Sequence, residues 1–303
     1  MTTDSQVTAE ACRRCILDDL SGALHLLPDI SEEKKQEILA SARQFLDGEF
    51  NLSRAPSYYI TGVHRRLKQI AGLPVPFAEL RHACNEVGRV LAEKLRRRLE
   101  VLSQKEGFRL AVEWAIAANH LDFRTVGTGY GFSPDEIEAM LEAKLRKGFA
   151  VDDFDSLWDL VHGAREILYI PDNVGELAFD NIVLDYLRDF SCHTIVPYRG
   201  GPITSDATLE DFNFLNTQAH AGDVICAGPD TLGISLEEAS DELHAALQRA
   251  ELIITKGQAN FYAMHASQHK LPGRIACLFT CKCDVVAGLF GLSGKINIMK
   301  VLK

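Results

Sequence analysis

A carboxylate beside an amide closes the apolar run in EILYIPDNVGELAFD, residues 166–180: Pro171, Asp172 and Asn173 follow residues 167–170, with Glu176 and Asp180 close behind. Asn173-Val-Gly-Glu176 has the form of a capping box, in which both side chains satisfy the first free amides of a helix. That explains Asn173 and Glu176 but not Asp172. It also leaves unexplained a second carboxylate, Asp206, after the next apolar run, and Lys256-Gly257 at the end of a later one. Asp172, Asn173 and Asp206 together offer three hard oxygen donors, a set suited to Mg²⁺ or another divalent cation that keeps several waters. Lys256 beside Gly257 suits an anion approaching backbone amides at a helix start. A cation, a lysine and glycine-rich turns make a phosphate site, and their conjunction carries that reading.

Residues 7–163 read as helix almost throughout. SEEKKQEILASARQFL opens with Ser31 as N-cap, and FSPDEIEAML opens with Ser133 as N-cap and Pro134 at the first helical position. In residues 80–102, Ala83, Val87, Val90, Leu91 and Leu95 recur at three- and four-residue steps, an apolar helical stripe. No strand is expected before residue 164. Beyond it, short runs rich in β-branched residues (167–170, 193–198, 223–227, 251–255 and 274–280) alternate with stretches of helical period. Strands alternating with helices predict a mainly parallel sheet covered on both faces. The expected architecture is therefore α/β, with an N-terminal all-helical domain over residues 1–163 packed on an α/β domain over residues 164–303. In such sheets ligands bind beyond the carboxyl ends of the strands, where these candidate residues fall.

Composition narrows the partners. The chain has 303 residues, is 47% hydrophobic and 24% charged, and carries a formal net charge of -10. Its densest basic run, residues 93–100, is flanked by glutamates at helical spacing and reads as a solvated helix face, not a nucleic-acid patch. No run of roughly 18 apolar residues predicts a membrane span, and the first residues show no apolar leader. A cytoplasmic protein is expected, with its eight cysteines as reduced thiols. Cys12-x-x-Cys15 and the group Cys277, Cys281 and Cys283 admit zinc, but buried thiols are the default.

Other motifs carry less. GTGYGF lacks the dinucleotide-binding spacing, and no G-x-S-x-G supports an α/β-hydrolase triad. His193 begins a strand and reads as structural. His120, beside Asn119, and Asp230, in GPDTLG, each admit either a substrate-side or a structural role.

The series PDNVGELAFD, ITSDATLEDF, AGPDTLGISL, LIITKGQANFY and CKCDVVAGLFGLSG resembles, in order, the motifs of the damage-control phosphatase family, metal-dependent enzymes long filed as a domain of unknown function. The helical half resembles that family more loosely, through Cys12-x-x-Cys15 and AIAANHLDF. The resemblance implies a Rossmann-like three-layer α/β/α sandwich behind a helical domain, and hydrolysis of small phosphorylated metabolites such as sugar phosphates. It implies a divalent ion (Mg, Mn, Co or Ni) on Asp172, Asn173 and Asp206, and a phosphate contact from Lys256. Ala118-Asn119 stands where the family has Gly-Asn, which makes Asn119 and Asp122 lining residues. Ser205 stands where the family often has Asn, and can still donate a hydrogen bond.

A mechanism on these residues uses the cation as electrophile, with Lys256 and amides around Gly200-Gly201 or Gly257 covering the remaining phosphoryl oxygens. Metal-bound water or the Asp172 carboxylate would be the nucleophile. An S-adenosylmethionine-dependent carboxyl methyltransferase and a non-catalytic metabolite-binding protein are the alternatives.

Overall fold

Local sequence starts the helices where their caps stand. The computed structural model describes residues 7–123 and 134–303. Helix α1 spans Glu10–His25 and α2 spans Glu32–Glu49, where the Ser31 hydroxyl accepts from the Lys34 amide at 3.4 Å. After α3 (Pro56–Ala71) and the long α4 (Ala78–Leu99), Ser103 and Glu106 form a reciprocal capping box at the start of α5, Gln104–Ala117. A short 3-10 turn, Ala118–Leu121, continues from α5. Helix α6 begins at Pro134 and runs to Leu145, while Ser133 and the GTGYGF stretch lie outside the described residues.

One strand interrupts the segment read as helical throughout. Val151–Asp152 forms β1, and α7 (Phe154–Gly163) follows it. Two residues carry no readable alternation, so only the partner strand reveals this element. The chain then alternates: β2 (Glu166–Ile170), α8 (Leu177–Asp189), β3 (His193–Tyr198), α9 (Leu209–Phe214), β4 (Asp223–Cys226), α10 (Asp241–Arg249), β5 (Leu252–Lys256), α11 (Gln258–Ser267), β6 (Arg274–Cys281), α12 (Asp284–Gly288) and β7 (Ile296–Val301). The strand order is β1-β7-β6-β5-β2-β3-β4. Strands β2 to β6 are mutually parallel; β7 runs antiparallel to β6, and β1 parallel to β7.

The sheet is buried on both sides, which is why its strands read as continuous apolar runs. Ile167, Tyr169, Leu252, Ile254 and Leu278 face one core with residues of α4 to α8. Their neighbours Leu168, Ile170, Ile253, Ile275 and Phe279 face the other, with residues of α10 to α12. This period of two gives the three layers of an α/β/α sandwich. Helices α1 to α3 keep a core of their own around Leu20, Ile38, Tyr59, Val63 and Leu67, whereas α4 to α7 share theirs with the sheet. Among the described residues, no helix is long and apolar enough to cross a membrane.

Helix α4 crosses the loop after β2 at backbone contact. A Cβ on Gly88 would stand 2.1 Å from the Gly175 carbonyl oxygen, and one on Gly175 (φ +76°) would stand 2.8 Å from that of Cys84. Gly88→Ala is therefore expected to destabilise the protein by about 3 kcal/mol, since overpacking against backbone cannot relax by side-chain motion. Gly22→Ala, in α1 with open space around it, should stabilise it by roughly 0.5 kcal/mol. Urea midpoints at constant slope would check both.

Candidate active site

The order of the strands reverses at β2. Its continuation β3 lies on one side and β5 on the other, and ligands of doubly wound sheets bind at the carboxyl ends of such strands. Asp172 follows β2 by two residues, and Lys256 is the last residue of β5. The topology thus places a carboxylate and an ammonium side by side from positions far apart in sequence.

Two loops meet there through their backbones. The Val174 amide donates to the Ser205 carbonyl at 2.8 Å and the Ala207 amide to the Asp172 carbonyl at 2.9 Å, with Asn173 and Asp206 paired as an isolated antiparallel bridge. Asp172 Oδ2 accepts from Asn173 Nδ2 at 2.7 Å and from Asn119 Nδ2 at 3.1 Å. Its Oδ1 accepts no hydrogen bond among the described residues. Glu176 Oε1 accepts from the Asn173 amide at 3.1 Å, from Asn173 Nδ2 at 2.7 Å and from Asn119 Nδ2 at 3.0 Å. Lys256 Nζ donates to Glu176 Oε2 at 3.1 Å and to Asp180 Oδ1 at 2.8 Å, and Tyr169 Oη donates to the same Asp180 oxygen at 2.7 Å. The capping-box reading is half met: Glu176 reaches the Asn173 amide, but no side chain caps α8.

Asp206 is held separately. Its Oδ1 accepts from the Gly233 amide at 2.6 Å, its Oδ2 from Thr204 Oγ1 at 3.1 Å, and Arg199 Nε lies 3.4 Å from Oδ1. Ser205 Oγ donates to Asn173 Oδ1 at 2.7 Å. Asp122 is buried and pairs with Lys282 at 3.2 Å. Gly257 lies against Asp172: at its φ of +80° a Cβ would come within 1.9 Å of Asp172 Oδ2. Its amide donates to the Leu278 carbonyl at 3.1 Å, so Gly257 gives clearance to the carboxylate, not a free N–H to an anion. The space beside Gly201 is bounded by Asp230, and Asp230 is itself ion-paired to Arg65 and Lys68 of α3.

Asp172, Asn173, Asp206, Asn119, Ser205, Lys256 and Gly257 thus form one contiguous group, and Asp122 borders it through Lys282. Sequence reasoning missed several of its members. Glu176 and Asp180 stand one helical turn apart and converge on Lys256. Asn260, in KGQAN, donates to the Lys256 carbonyl at 2.7 Å and accepts from Arg199 at 3.0 Å. From α4, Arg81 donates to the Thr204 and Asp206 carbonyls at 2.7 and 3.0 Å and pairs with Asp211, while Asn85 Oδ1 accepts from the Gly175 amide at 2.8 Å. The spacing of Glu176 and Asp180 was a usable signal; that of Arg81 and Asn85, inside an ordinary amphipathic helix, was not.

The electrostatics are those of a buried anionic cluster. Among the described residues, five carboxylates (Asp122, Asp172, Glu176, Asp180, Asp206) face three cations (Lys256, Lys282, Arg199), an excess of two negative charges if all ionise. Burial, and then the charges of Glu176 and Asp206, push the Asp172 carboxyl well above the usual range. Burial alone would lower Lys256, but Asp180 and Glu176 outweigh it and hold the ammonium protonated. Burial, reinforced by Lys144, Lys282 and Lys295, depresses His120 to about 4.

A profile of the damage-control phosphatase ARMT1-like domain matches residues 8–296. The chain is 30% identical over 277 residues to a damage-control phosphatase of Pyrococcus horikoshii, covering 91% of each. It is 27% identical over 292 residues to a damage-control phosphatase of Archaeoglobus fulgidus, covering 96% of this chain and 98% of that one. The crystal structure of a DUF89 family protein from Pyrococcus horikoshii superposes with a TM-score of 0.85 at 27% identity, over 98% of this chain and 99% of that one.

The His120 depression has a signed consequence. Between its ordinary value of about 6.5 and its folded value of about 4, the unfolded chain binds a proton that the folded chain refuses, so stability falls as pH drops through that window. His120→Gln removes the titration. Urea midpoints at pH 7.5, 5.5 and 4.5 should therefore fall less steeply in the variant than in the wild type.

Proposed function

The chain belongs to the damage-control phosphatase ARMT1-like family, and on that premise we propose that it is a metal-dependent phosphomonoesterase acting on small phosphorylated metabolites, with Asp172 at the reaction centre. The family places it among phosphatases of metabolite repair; the cation (Mg²⁺, Mn²⁺, Co²⁺ or Ni²⁺) and the small phosphate ester as substrate are our reading. The observation that carries it is the Asp172 carboxylate, buried among like charges with one oxygen that accepts no hydrogen bond among the described residues.

That carboxylate fits a hard cation. With all five carboxylates ionised, the surplus of negative charge among the described residues would repel a phosphate dianion, and a bound divalent ion would offset it. Asp172, Asn173 and Asp206 would hold the ion. Asn173 must turn its amide to do so, because its oxygen now faces Ser205 and its nitrogen lies between Asp172 and Glu176. Among the described residues no three His, Cys, Asp or Glu side chains converge to hold a metal. The site would therefore be an open one, in which a carboxylate pair and an amide leave positions for water and phosphate. When bound, such an ion polarises phosphoryl oxygens and lowers the pKa of coordinated water.

The protein's own groups do the rest. Lys256 has three ammonium hydrogens and two carboxylate partners, which leaves one for a phosphoryl oxygen. Glu176 and Asp180 keep that ammonium charged and fix its position. Asn119 donates to both Asp172 and Glu176, which orients the reacting carboxylate. Arg199 and the Gly233 amide hold Asp206 toward the same loop. A methyltransferase reading would assign no role to this anionic cluster.

Release of phosphate from an aryl phosphate is the direct test. Chelator should abolish it, and Mg²⁺, Mn²⁺, Co²⁺ or Ni²⁺ should restore it. Asp172→Ala should lose at least roughly 100-fold in kcat, about 3 kcal/mol of transition-state stabilisation, with metal saturating. Near-normal turnover in that variant would overturn the assignment.

A further inference from the structure

Beside the anionic cluster lies a basic cavity that the chemistry above does not use. It has a volume of about 210 Å³, and its lining includes His120, Lys144, Lys147, Thr280, Lys295 and Asn297. Lys144 is the next-to-last residue of α6, Lys147 follows that helix by two residues, and Lys295 immediately precedes β7. Three lysines thus gather from two distant segments in a chain whose net charge is -10. None of the three takes part in a salt bridge among the described residues. Like charges brought together without counter-ions repel, and the protonated form of Lys144 is disfavoured by burial and by its neighbours Lys147 and Lys295.

The floor of the cavity differs from a solvated lysine surface. His120 is 6% exposed, Thr280 3% and Asn297 7%. Thr280 Oγ1 donates to Asn297 Oδ1 at 3.1 Å. The ring nitrogens of His120 make no hydrogen bond among the described residues, although a buried polar group ordinarily has a partner. A neutral imidazole facing a cavity offers one N–H donor to a ligand. His120 is also the residue after Asn119, whose side chain donates to Asp172, and adjacent Cα atoms are about 3.8 Å apart. The basic cavity is therefore lined by the residue that follows Asn119, and His120 also feels the charges of Lys282 and Asp122 at the border of the anionic cluster.

We propose that this cavity binds a second anionic group of the substrate, so that the preferred substrates are small phosphate esters bearing a carboxylate or a further phosphate at their other end. The proposal rests on the phosphatase reading and adds its substrate class. Lys144, Lys147 and Lys295 supply the charge, and His120 supplies a directional donor. The two charged regions divide the work: the anionic cluster takes the reacting phosphoryl group with its cation, and the lysines take the remote anion. Binding energy from a remote anion fixes the reacting end in place.

Matched esters test it: 1,3-propanediol monophosphate, its analogue with a terminal carboxylate, and its analogue with a second phosphate. The wild-type holoenzyme should favour the second and third over the first by roughly tenfold or more in kcat/KM. Lys144→Gln with Lys295→Gln should shrink that preference toward unity, and Lys144→Arg with Lys295→Arg should restore it. Whichever analogue shows the larger preference identifies the remote group as carboxylate or phosphate. A preference equal in the wild type and the glutamine variant would overturn the proposal, as would the lack of any preference. Should no ester be hydrolysed, the phosphatase reading fails on its own, and calorimetric titration with methylenebisphosphonate, without divalent cation, judges the cavity. Affinity lower in the glutamine variant by roughly tenfold supports it; equal affinity in both proteins sinks it.

Discussion

Removing a carboxylate from water is unfavourable by several kcal/mol unless opposite charge and hydrogen bonds replace the lost solvation. Among the described residues, this protein does so for five carboxylates at the end of one strand pair, with three cations to balance them. Much of the molecule's architecture follows from that demand. Lys256 is fully enclosed because Glu176 and Asp180 leave it no reason to reach water. Tyr169, on the neighbouring strand, lends its hydroxyl to the same Asp180 oxygen. Asp180 Oδ2 nonetheless has no hydrogen-bond partner among the described residues. The arrangement is compensated at its centre and short of positive charge at its edge, where Asp172 stands.

Helix α4 shows how a helical segment serves a site built mostly on a sheet. Its apolar stripe packs on the core shared with β2 and β5, and its polar side reaches the loops that carry the carboxylates. Arg81 gathers the carbonyls of Thr204 and Asp206, and Asn85 holds the Gly175 amide. Gly88 lets the helix backbone come close enough for both. None of these residues touches the candidate reacting atoms, yet they fix the relative position of Asp172 and Asp206. The same logic applies to Gly257, whose missing Cβ makes room for the Asp172 carboxylate.

Charge segregation is the second theme. An acidic protein has placed three lysines, without an ion pair among the described residues, near its most acidic interior region, separated by the Asn119-His120 step. Lys282 lies between the two, paired with Asp122 and close enough to raise the cost of protonating His120. A ligand with two anionic ends would meet complementary surroundings at both once a cation is bound.

Much of this was legible in the chain itself. Continuous apolar runs ending in Pro-Asp-Asn and Lys-Gly marked the strands and their carboxyl ends, because a strand buried on both faces must be apolar along its length. Caps such as Ser31 marked helix starts through local hydrogen bonding. Strand order was not legible. That β5 inserts beside β2, bringing Lys256 to Glu176 and Asp180, depends on long-range packing that no local pattern encodes. The same holds for β1, two residues whose pairing exists only because β7 is there, and for the surroundings of Gly200-Gly201, where Gly200 closes on the Gly228 carbonyl and Gly201 faces Asp230. Sequence determined which residues stand at strand ends, since period and capping are local properties. Tertiary structure decided which of those ends meet, since only burial in a shared low-dielectric space makes distant charges neighbours.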